Sequence, residues 1–425
     1  MSIELEQTVL GCMILNNDCA MDYGLVNETD FTHPMHKEIY RGIASLVVKN
    51  KPVDYLGIYE ETNHKTDIKY MAKLITTVPS TAAFEYYVEN LKDATLKREM
   101  ATLADKLRNT ELSGKESVEL AEKEIFNLRE KNDTSKFTHV GDIVPGTYQE
   151  IWDIYEGKKE RGLPTGFTAL DNIIGGMRKS EYILLAARPS IGKTALAINI
   201  AQDLIMRNQS VAFFSLEMNR EQLTERLLRG MSLIESDKLA KKNGKKMTQK
   251  DWDKLLNTAN YIFRKNLYID DNPSISVAEM QSMSRRLKRT KGLDLVIIDY
   301  LQLIQSNIKG SRREQVEQVS RDLKRMAKEL NVPVLVISSL SRANMQRESK
   351  IPVLSDLRET GQIEFDADVV MFVHREYYYK PSETELKHDA DIIIAKNRNG
   401  EIGRAKLNWY AEYTRFMSKG EIIDG

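Results

Sequence analysis

The sequence predicts an α/β domain preceded by a separate all-helical domain, and three observations carry that reading. From about residue 162, short apolar runs at 182–187, 211–216, 295–299, 333–338, 369–373 and 391–395 alternate with helical segments, the pattern of a sheet with helices on both faces. The first run leads into a phosphate-loop sequence that opens a helix. The first 130 residues instead show helical periodicity with no phosphate loop or catalytic cluster.

The elements follow in order. Leu5, Val9, Cys12 and Met13 share one helical stripe, and Phe84, Tyr87, Val88 and Leu91 share another. Leu96, Met100, Leu103 and Leu107, then Val118, Ala121, Ile125 and Leu128, repeat at helical spacing around Ser113-Gly114. That pattern is a helical hairpin, packed in its own domain or against a second copy. Polar residues 131–141 begin a linker, within which Ile143, Thr147, Ile151 and Ile154 mark an isolated amphipathic helix. Its apolar face docks either on its own C-terminal domain or on a neighbouring subunit, and spacing alone leans to the former. The domains expected are 1–130, helical; 131–161, linker with its helix; and 162–425, α/β. The late apolar runs are continuous, as in buried parallel strands.

Composition narrows the function classes. With 425 residues, 41% hydrophobic and 29% charged, the chain is an ordinary globular protein of two or three domains. The 62 basic and 62 acidic residues cancel, which excludes a protein that grips nucleic acid by being basic throughout. Residues 1–97 hold 9 Lys/Arg against 14 Asp/Glu, a net of −5, so the remainder carries +5. Cys12 and Cys19 are the two cysteines, which fits a reducing, cytoplasmic setting. They stand too far apart for a usual zinc pair with His33 and His36, and both are expected in the core. No apolar run is long enough to span a membrane, and the acidic start, MSIELEQ, is no signal peptide.

The chemistry concentrates in Ala187-Arg188-Pro189-Ser190-Ile191-Gly192-Lys193-Thr194, followed by Ala195. Its loop amides and helix N-terminus suit phosphate oxygens, Lys193 suits the β and γ phosphates, and the Thr194 hydroxyl suits Mg²⁺. ATP with Mg²⁺ is therefore the expected cofactor. Asp299 ends the run LVIID, where an acid at a strand's carboxyl end meets the metal without sitting in the core. Glu217 follows VAFFSL and is the candidate base for the attacking water. Residues 355–370, SDLRETGQIEFDADVV, contain Arg358 as a phosphate contact and Gly361 for close backbone approach. Lys396 and Arg398 lie in a turn between strands, either a solvated hairpin tip or a finger completing a nucleotide site. The basic stretches at 285–291 and 238–250 are expected as solvated helix faces, with the lining of a channel for an anionic polymer as the alternative for either.

These segments resemble the replicative DNA helicases of the bacterial and phage DnaB family. ELEQTVLGCMI, GLPTGFTALD, ARPSIGKTA, FFSLEM, LVIIDYLQLI, SDLRETGQIE and AKNRNGEIG stand in the family's order. The resemblance implies a RecA-like phosphate-loop ATPase motor domain joined by a linker helix to the helical N-terminal domain. It further implies a homo-hexameric ring moving 5′ to 3′ on single-stranded DNA and opening forked duplex DNA, with ATP between subunits. Lys193, Thr194, Asp299 and Glu217 take the roles above, and Lys396 and Arg398 reach into the neighbour's site. Arg358, Glu359 and Gly361 match the loop that contacts the DNA backbone. The linker helix docks on the adjacent subunit, which reverses the preference from spacing, and the N-terminal collar meets primase, a helicase loader and other replisome proteins.

One position departs from the family. Where Ser-Gln-Leu-Asn-Arg is usual, the chain reads Ser338-Ser339-Leu340-Ser341-Arg342. Ser339 is shorter than glutamine and has one donor hydrogen fewer, so weaker stimulation of hydrolysis by DNA is expected, reversed by Ser339→Gln. Two other readings compete. A RecA-like recombinase or other DNA-dependent ATPase shares the core but is not expected to carry this helical half. A non-hydrolysing ring scaffold or loader partner has no need of Glu217, Asp299, Lys396 and Arg398 together.

Overall fold

In the computed structural model, residues 2–108, 138–306, 308, 310–341, 347–357 and 361–420 are described, with scattered positions between 113 and 128. Two compact units emerge, Met1–Ile143 and Val144–Gly425.

The N-terminal unit is helical: Ser2–Leu15, Pro34–Val48, Tyr55–Glu61, Ile68–Thr76 and Phe84–Arg108 are its main helices. Their starts are set locally. Asp54 accepts from Gly57 N at 2.7 Å and Asp67 from Lys69 N at 2.8 Å, each satisfying an orphan amide of the first turn. Val9, Leu10, Met13, Ile39, Ile43, Ile58 and Met71 form the core. Gly11 sits mid-helix because a Cβ there would lie 2.6 Å from the Leu74 carbonyl oxygen. The stripes beginning at Phe84 and Leu96 belong to one continuous helix. Leu103 of its second half is buried while Met100 is exposed. Most of the expected partner helix of the hairpin lies outside the described residues, Val118 included. Cys12 and Cys19 are buried thiols, with Cys12 pushed up to about 11 by burial. His36 is engaged by Glu6 at 2.6 Å and Tyr70 at 2.7 Å. Among the described residues no His/Cys/Asp/Glu group is arranged to hold a metal.

The C-terminal unit is built on nine strands: β1 (Tyr182–Ala187), β2 (Val211–Ser215), β3 (Leu267–Asp270), β4 (Leu295–Asp299), β5 (Val334–Ser339), β6 (Val369–His374), β7 (Asp389–Asn397), β8 (Gly403–Tyr410) and β9 (Arg415–Ser418). They form one sheet in the order β3-β2-β4-β5-β1-β6-β7-β8-β9. β1 to β6 pair in parallel, with Ile183 opposite both Leu335 and Val369. The helix Lys193–Met206 covers one face, with Leu196, Ile200 and Leu204 buried. Helices Val277–Lys291 and Arg312–Leu330 cover the other, through Met280, Val319, Leu323 and Met326.

The structure departs from the strand reading at 391–395 and at β3, and adds β9. The run at 391–395 is not a parallel strand: β7 runs antiparallel to β6 and β8, and its burial alternates through Ala390, Ile392 and Ile394. Ile393, on the opposite face, packs against the second core, which is why the sequence looks continuously apolar. β3 escapes sequence reading because it is a short, half-buried edge strand without an apolar run. The isolated amphipathic helix expected near 143–154 spans Val140–Tyr155, and Ile143, Tyr148, Ile151 and Tyr155 on it are exposed. No described helix is long and apolar enough to cross a membrane.

Candidate functional site

The carboxyl ends of β1, β2, β4 and β5 converge on one cavity of about 390 Å³, lined by Ser190, Gly192, Lys193, Thr194, Glu217 and Arg226 among others. Ligands bind at this edge in open parallel sheets because the strand-to-helix loops gather there. β1 stays paired to its last residue, Ala187 opposite Ser339. Ala187 is not among the residues of positive φ, so alanine serves at the first motif position. The turn comes later, at Ser190 (φ +66°) and Gly192 (φ +118°). At Gly192 a Cβ would meet the Phe416 ring at 3.0 Å. Gly192 then caps the helix Lys193–Met206, whose unpaired amides and dipole favour anions.

Beneath the loop, Thr194 Oγ1 donates to Asp299 Oδ2 at 2.7 Å. Asp299 is 1% exposed, and its other oxygen, Oδ1, has no hydrogen-bond partner among the described residues. Burial raises the Asp299 carboxyl above its ordinary range, against the lowering effect of the Thr194 hydrogen bond and the Lys193 charge; the nearby Glu217 charge adds to the rise. A buried, under-satisfied carboxylate beside a threonine hydroxyl fits a hard, oxygen-seeking cation such as Mg²⁺. Glu217 is exposed, two residues beyond Ser215, which lies opposite Asp299 in the β2–β4 pair. Lys193 donates to Ser339 Oγ at 3.0 Å and stands 4.4 Å from the centre of the Tyr300 ring.

Flanking side chains stiffen the loop. Arg188 reaches the carbonyls of Leu340 and Ser341, both at 3.4 Å. Arg375 donates to the Ile191 carbonyl at 3.3 Å and lies 4.9 Å from the centre of the Trp409 ring. Burial lowers its guanidinium to about 10. Trp409 and Phe416 press on Gly192 from the β8–β9 hairpin.

Sequence reading named Arg188, Pro189, Ser190, Ile191, Gly192, Lys193, Thr194, Ala195, Glu217, Asp299 and Ser339, and the fold gathers them around this one cavity or its rim. It does not bring Lys396 and Arg398 there. Lys396 pairs with Val370 and Asn397 with Val369, at the amino end of β6 and so at the opposite edge of the sheet. The path from Ile183 to Ala187 along β1 alone separates the two edges by about 13 Å, at roughly 3.3 Å per residue. Lys396 Nζ donates to the carbonyls of Glu364 (2.6 Å) and Phe365 (3.1 Å), and Arg398 to that of Phe365 (2.8 Å) and to Asp368 (3.4 Å). Burial, then the Arg398 charge, lowers the Lys396 ammonium. Gly361 begins the short helix Gly361–Asp366, while Arg358 and Glu359 lie outside the described residues. Sequence reasoning missed Arg226, Arg229, Trp409 and Thr414, all lining the cavity, and Gln302, which braces Ser338 and Ser339. Gln302 stands inside the quoted LVIIDYLQLI segment and was legible there; nothing local marks Trp409.

Comparison with known proteins extends this picture to the whole chain. Residues 162–418 match the DnaB-like helicase C terminal domain and residues 1–93 the DnaB-like helicase N terminal domain. The chain is 38% identical to the replicative DNA helicase DnaC of Bacillus subtilis (strain 168) and 36% identical to the replicative DNA helicase DnaB of Geobacillus stearothermophilus, covering 100% of this chain and 96% of each relative. A solved DnaB-like replicative helicase, described with its interactions with primase, superposes with a TM-score of 0.81 at 32% identity, covering 98% of this chain and 99% of that one. A second solved structure, an isolated ATPase domain, gives 0.62 at 38% identity over 67% of this chain and 99% of its own. The α/β unit is thus a RecA-like fold, and with both halves matched and full-length relatives above 30% identity, the chain belongs to the DnaB-like family of replicative DNA helicases.

Proposed function

We propose that the chain forms a homo-hexameric ring that couples ATP hydrolysis to 5′–3′ movement on single-stranded DNA and so opens duplex at the fork. The observation that carries the ATP reading is the Thr194–Asp299 pair under the phosphate loop, with an open Asp299 oxygen and Glu217 across the same cavity. Thr194 and Asp299 would hold Mg²⁺, which when bound neutralises charge on the phosphates. The loop from Arg188 to Ala195 wraps the phosphates, Lys193 turns from Ser339 to their oxygens, and Glu217 orients and deprotonates the water. Lys396 and Arg398, at the far sheet edge, cannot serve their own site. This supports their presentation to a neighbour, where they stabilise charge developing on the transferred phosphoryl group.

Separating duplex DNA costs a mean of about 1.4 kcal/mol per base-pair step, so continued opening needs fuel, and hydrolysis supplies it. Arg358, Glu359 and Gly361 are assigned to the DNA backbone, and the helix Val140–Tyr155 to docking on the adjacent subunit. The domains are assigned as 1–130, a collar that meets primase, a loader and other replisome partners in the cytoplasm; 131–161, the linker; and 162–425, the motor.

The test measures ATP hydrolysis and fork unwinding with and without single-stranded DNA, in the wild type and in Lys193→Ala and Arg398→Ala. Unwinding of forks with a free 5′ tail, lost in both variants, supports the assignment. A wild type that binds ATP and assembles but neither hydrolyses it nor opens forks replaces it with the scaffold reading.

A further inference from the structure

Ser339 is not the isolated short side chain that sequence alone presents. Its hydroxyl accepts from Lys193 at 3.0 Å, and its backbone N–H donates to Gln302 Oε1 at 3.4 Å. The other end of the same amide, Gln302 Nε2, donates to Ser338 Oγ at 3.0 Å. Ser338 is fully buried. Successive residues of a strand face opposite ways, so the Gln302 amide clamps the tip of β5 from both its backbone and its buried side.

Gln302 also belongs to the nucleotide side of the molecule. It lies in the turn Leu301–Leu303, three residues after Asp299, and the ring of Tyr300 in the same segment stands beside Lys193. Its carbonyl accepts from the guanidinium of Arg312, the first residue of the helix Arg312–Leu330. The ends of β4 and β5 and the start of this helix therefore meet at one side chain and its carbonyl.

We propose that Gln302 is a positioning residue that transmits occupancy of the nucleotide site, through Ser338 and Ser339, to the start of helix Arg312–Leu330. The proposal rests on the reading of the cavity as an ATP site. Lys193 holds phosphate oxygens more strongly than the neutral Ser339 Oγ, because with phosphate both partners of the bond are charged. When phosphate draws the ammonium away, Ser339 loses its donor, and its hydroxyl, with one hydrogen to give, seeks another partner. The tip of β5 then shifts against the Gln302 clamp, and the Arg312 guanidinium follows the Gln302 carbonyl. The reverse path lets whatever engages the segment before Arg312 bias the position of Ser339 and thereby of Lys193.

The experiment uses full-length protein and compares steady-state ATP hydrolysis with and without oligo-dT in wild type, Gln302→Met, Ser339→Gln and the double variant. Methionine keeps length and removes both amide bonds. The ratio of DNA-stimulated to basal kcat is expected to fall about fivefold in Gln302→Met, the equivalent of one net hydrogen bond, with KM for ATP within about twofold of wild type. Ser339→Gln in that background is expected to restore the ratio, which a merely structural role would not allow. Gln302→Glu, which keeps the acceptor for Ser339 and loses the donor to Ser338, provides the same comparison should the methionine variant fail to assemble. A stimulation ratio unchanged in Gln302→Met, or a loss of ratio, KM and assembly together without rescue, overturns the relay. Wild-type hydrolysis indifferent to DNA also overturns it while leaving the ATP site standing, whereas failure of the wild type to bind ATP sinks the site reading itself.

Discussion

Asp299 is a carboxyl whose charged form the fold disfavours. Burial raises its carboxyl, so the folded chain holds that proton more tightly than the unfolded chain does. The resulting stabilisation is present below the unfolded pKa and is lost as pH rises through the folded one. Asp299→Asn is therefore expected to raise the Tm of metal-free protein at pH values above the folded pKa of Asp299. The gap should close as pH falls through the folded pKa, which scanning calorimetry across pH would follow. The same substitution should abolish hydrolysis, the trade common where a site is built on strained electrostatics. Glu6 shows the opposite sign. Burial pushes its carboxyl up, but hydrogen bonds from His36, Thr32 and the backbone prevail and hold it at about 2, below 4.5. Its contribution is complete above about 4.5 and disappears as pH falls through about 2. Glu6→Gln removes an acceptor shared by Thr32, His33 and His36 and should destabilise the N-terminal unit by about 1–3 kcal/mol, seen as a drop in its denaturant midpoint. Glu217→Gln should lower kcat by about 10²–10⁴, the usual range for a general base, while ATP still binds.

At the scale of elements, the phosphate loop is shaped by what packs behind it. Gly192 combines φ +118° with a Phe416 ring where a Cβ would stand. Gly192→Ala should therefore cost about 1–3 kcal/mol of strain and weaken ATP binding at least tenfold, measurable by titration with a fluorescent analogue. Phe416→Ala in that background removes the clash but not the φ penalty, so only part of the affinity should return. The helix Val140–Tyr155 presents Ile143, Tyr148, Ile151 and Tyr155 to solvent in a single chain, an apolar face of the kind that marks an interaction surface. If the helix docks on a neighbour as proposed, Ile151→Asp should shift the particle to smaller species by light scattering, with the helical content of the isolated chain unchanged.

In the whole molecule, the residues of the proposed site stand at two edges of the same sheet. The phosphate loop, Asp299 and Glu217 stand at the carboxyl ends of the parallel strands, and Lys396 and Arg398 at the other edge. Rings mixed from Lys193→Ala and Arg398→Ala subunits should recover part of the ATPase activity absent from either alone, since some interfaces then pair an intact loop with an intact finger. No recovery at any mixing ratio would place Arg398 elsewhere. The formal charge of zero agrees with a molecule whose DNA contact is local, so salt should weaken DNA binding with a slope set by few phosphates.

The sequence by itself determined the phosphate loop, the acid at the end of β4, the acid after β2 and the strands β1, β2, β4, β5 and β6, because each rests on residues adjacent in the chain: an apolar run, a turn, a helix start. It also exposed the linker helix, whose period is local. Only the tertiary structure decided that Gln302 clamps Ser338 and Ser339, that Trp409 and Phe416 back Gly192, and that β7 is antiparallel. Those facts depend on pairing between segments far apart in sequence, and neither periodicity nor spacing reports which strand lies beside which. The same holds for Lys396 and Arg398. Composition left them as a hairpin tip or a finger, and only the register of β7 on β6 put them at the sheet edge remote from their own phosphate loop.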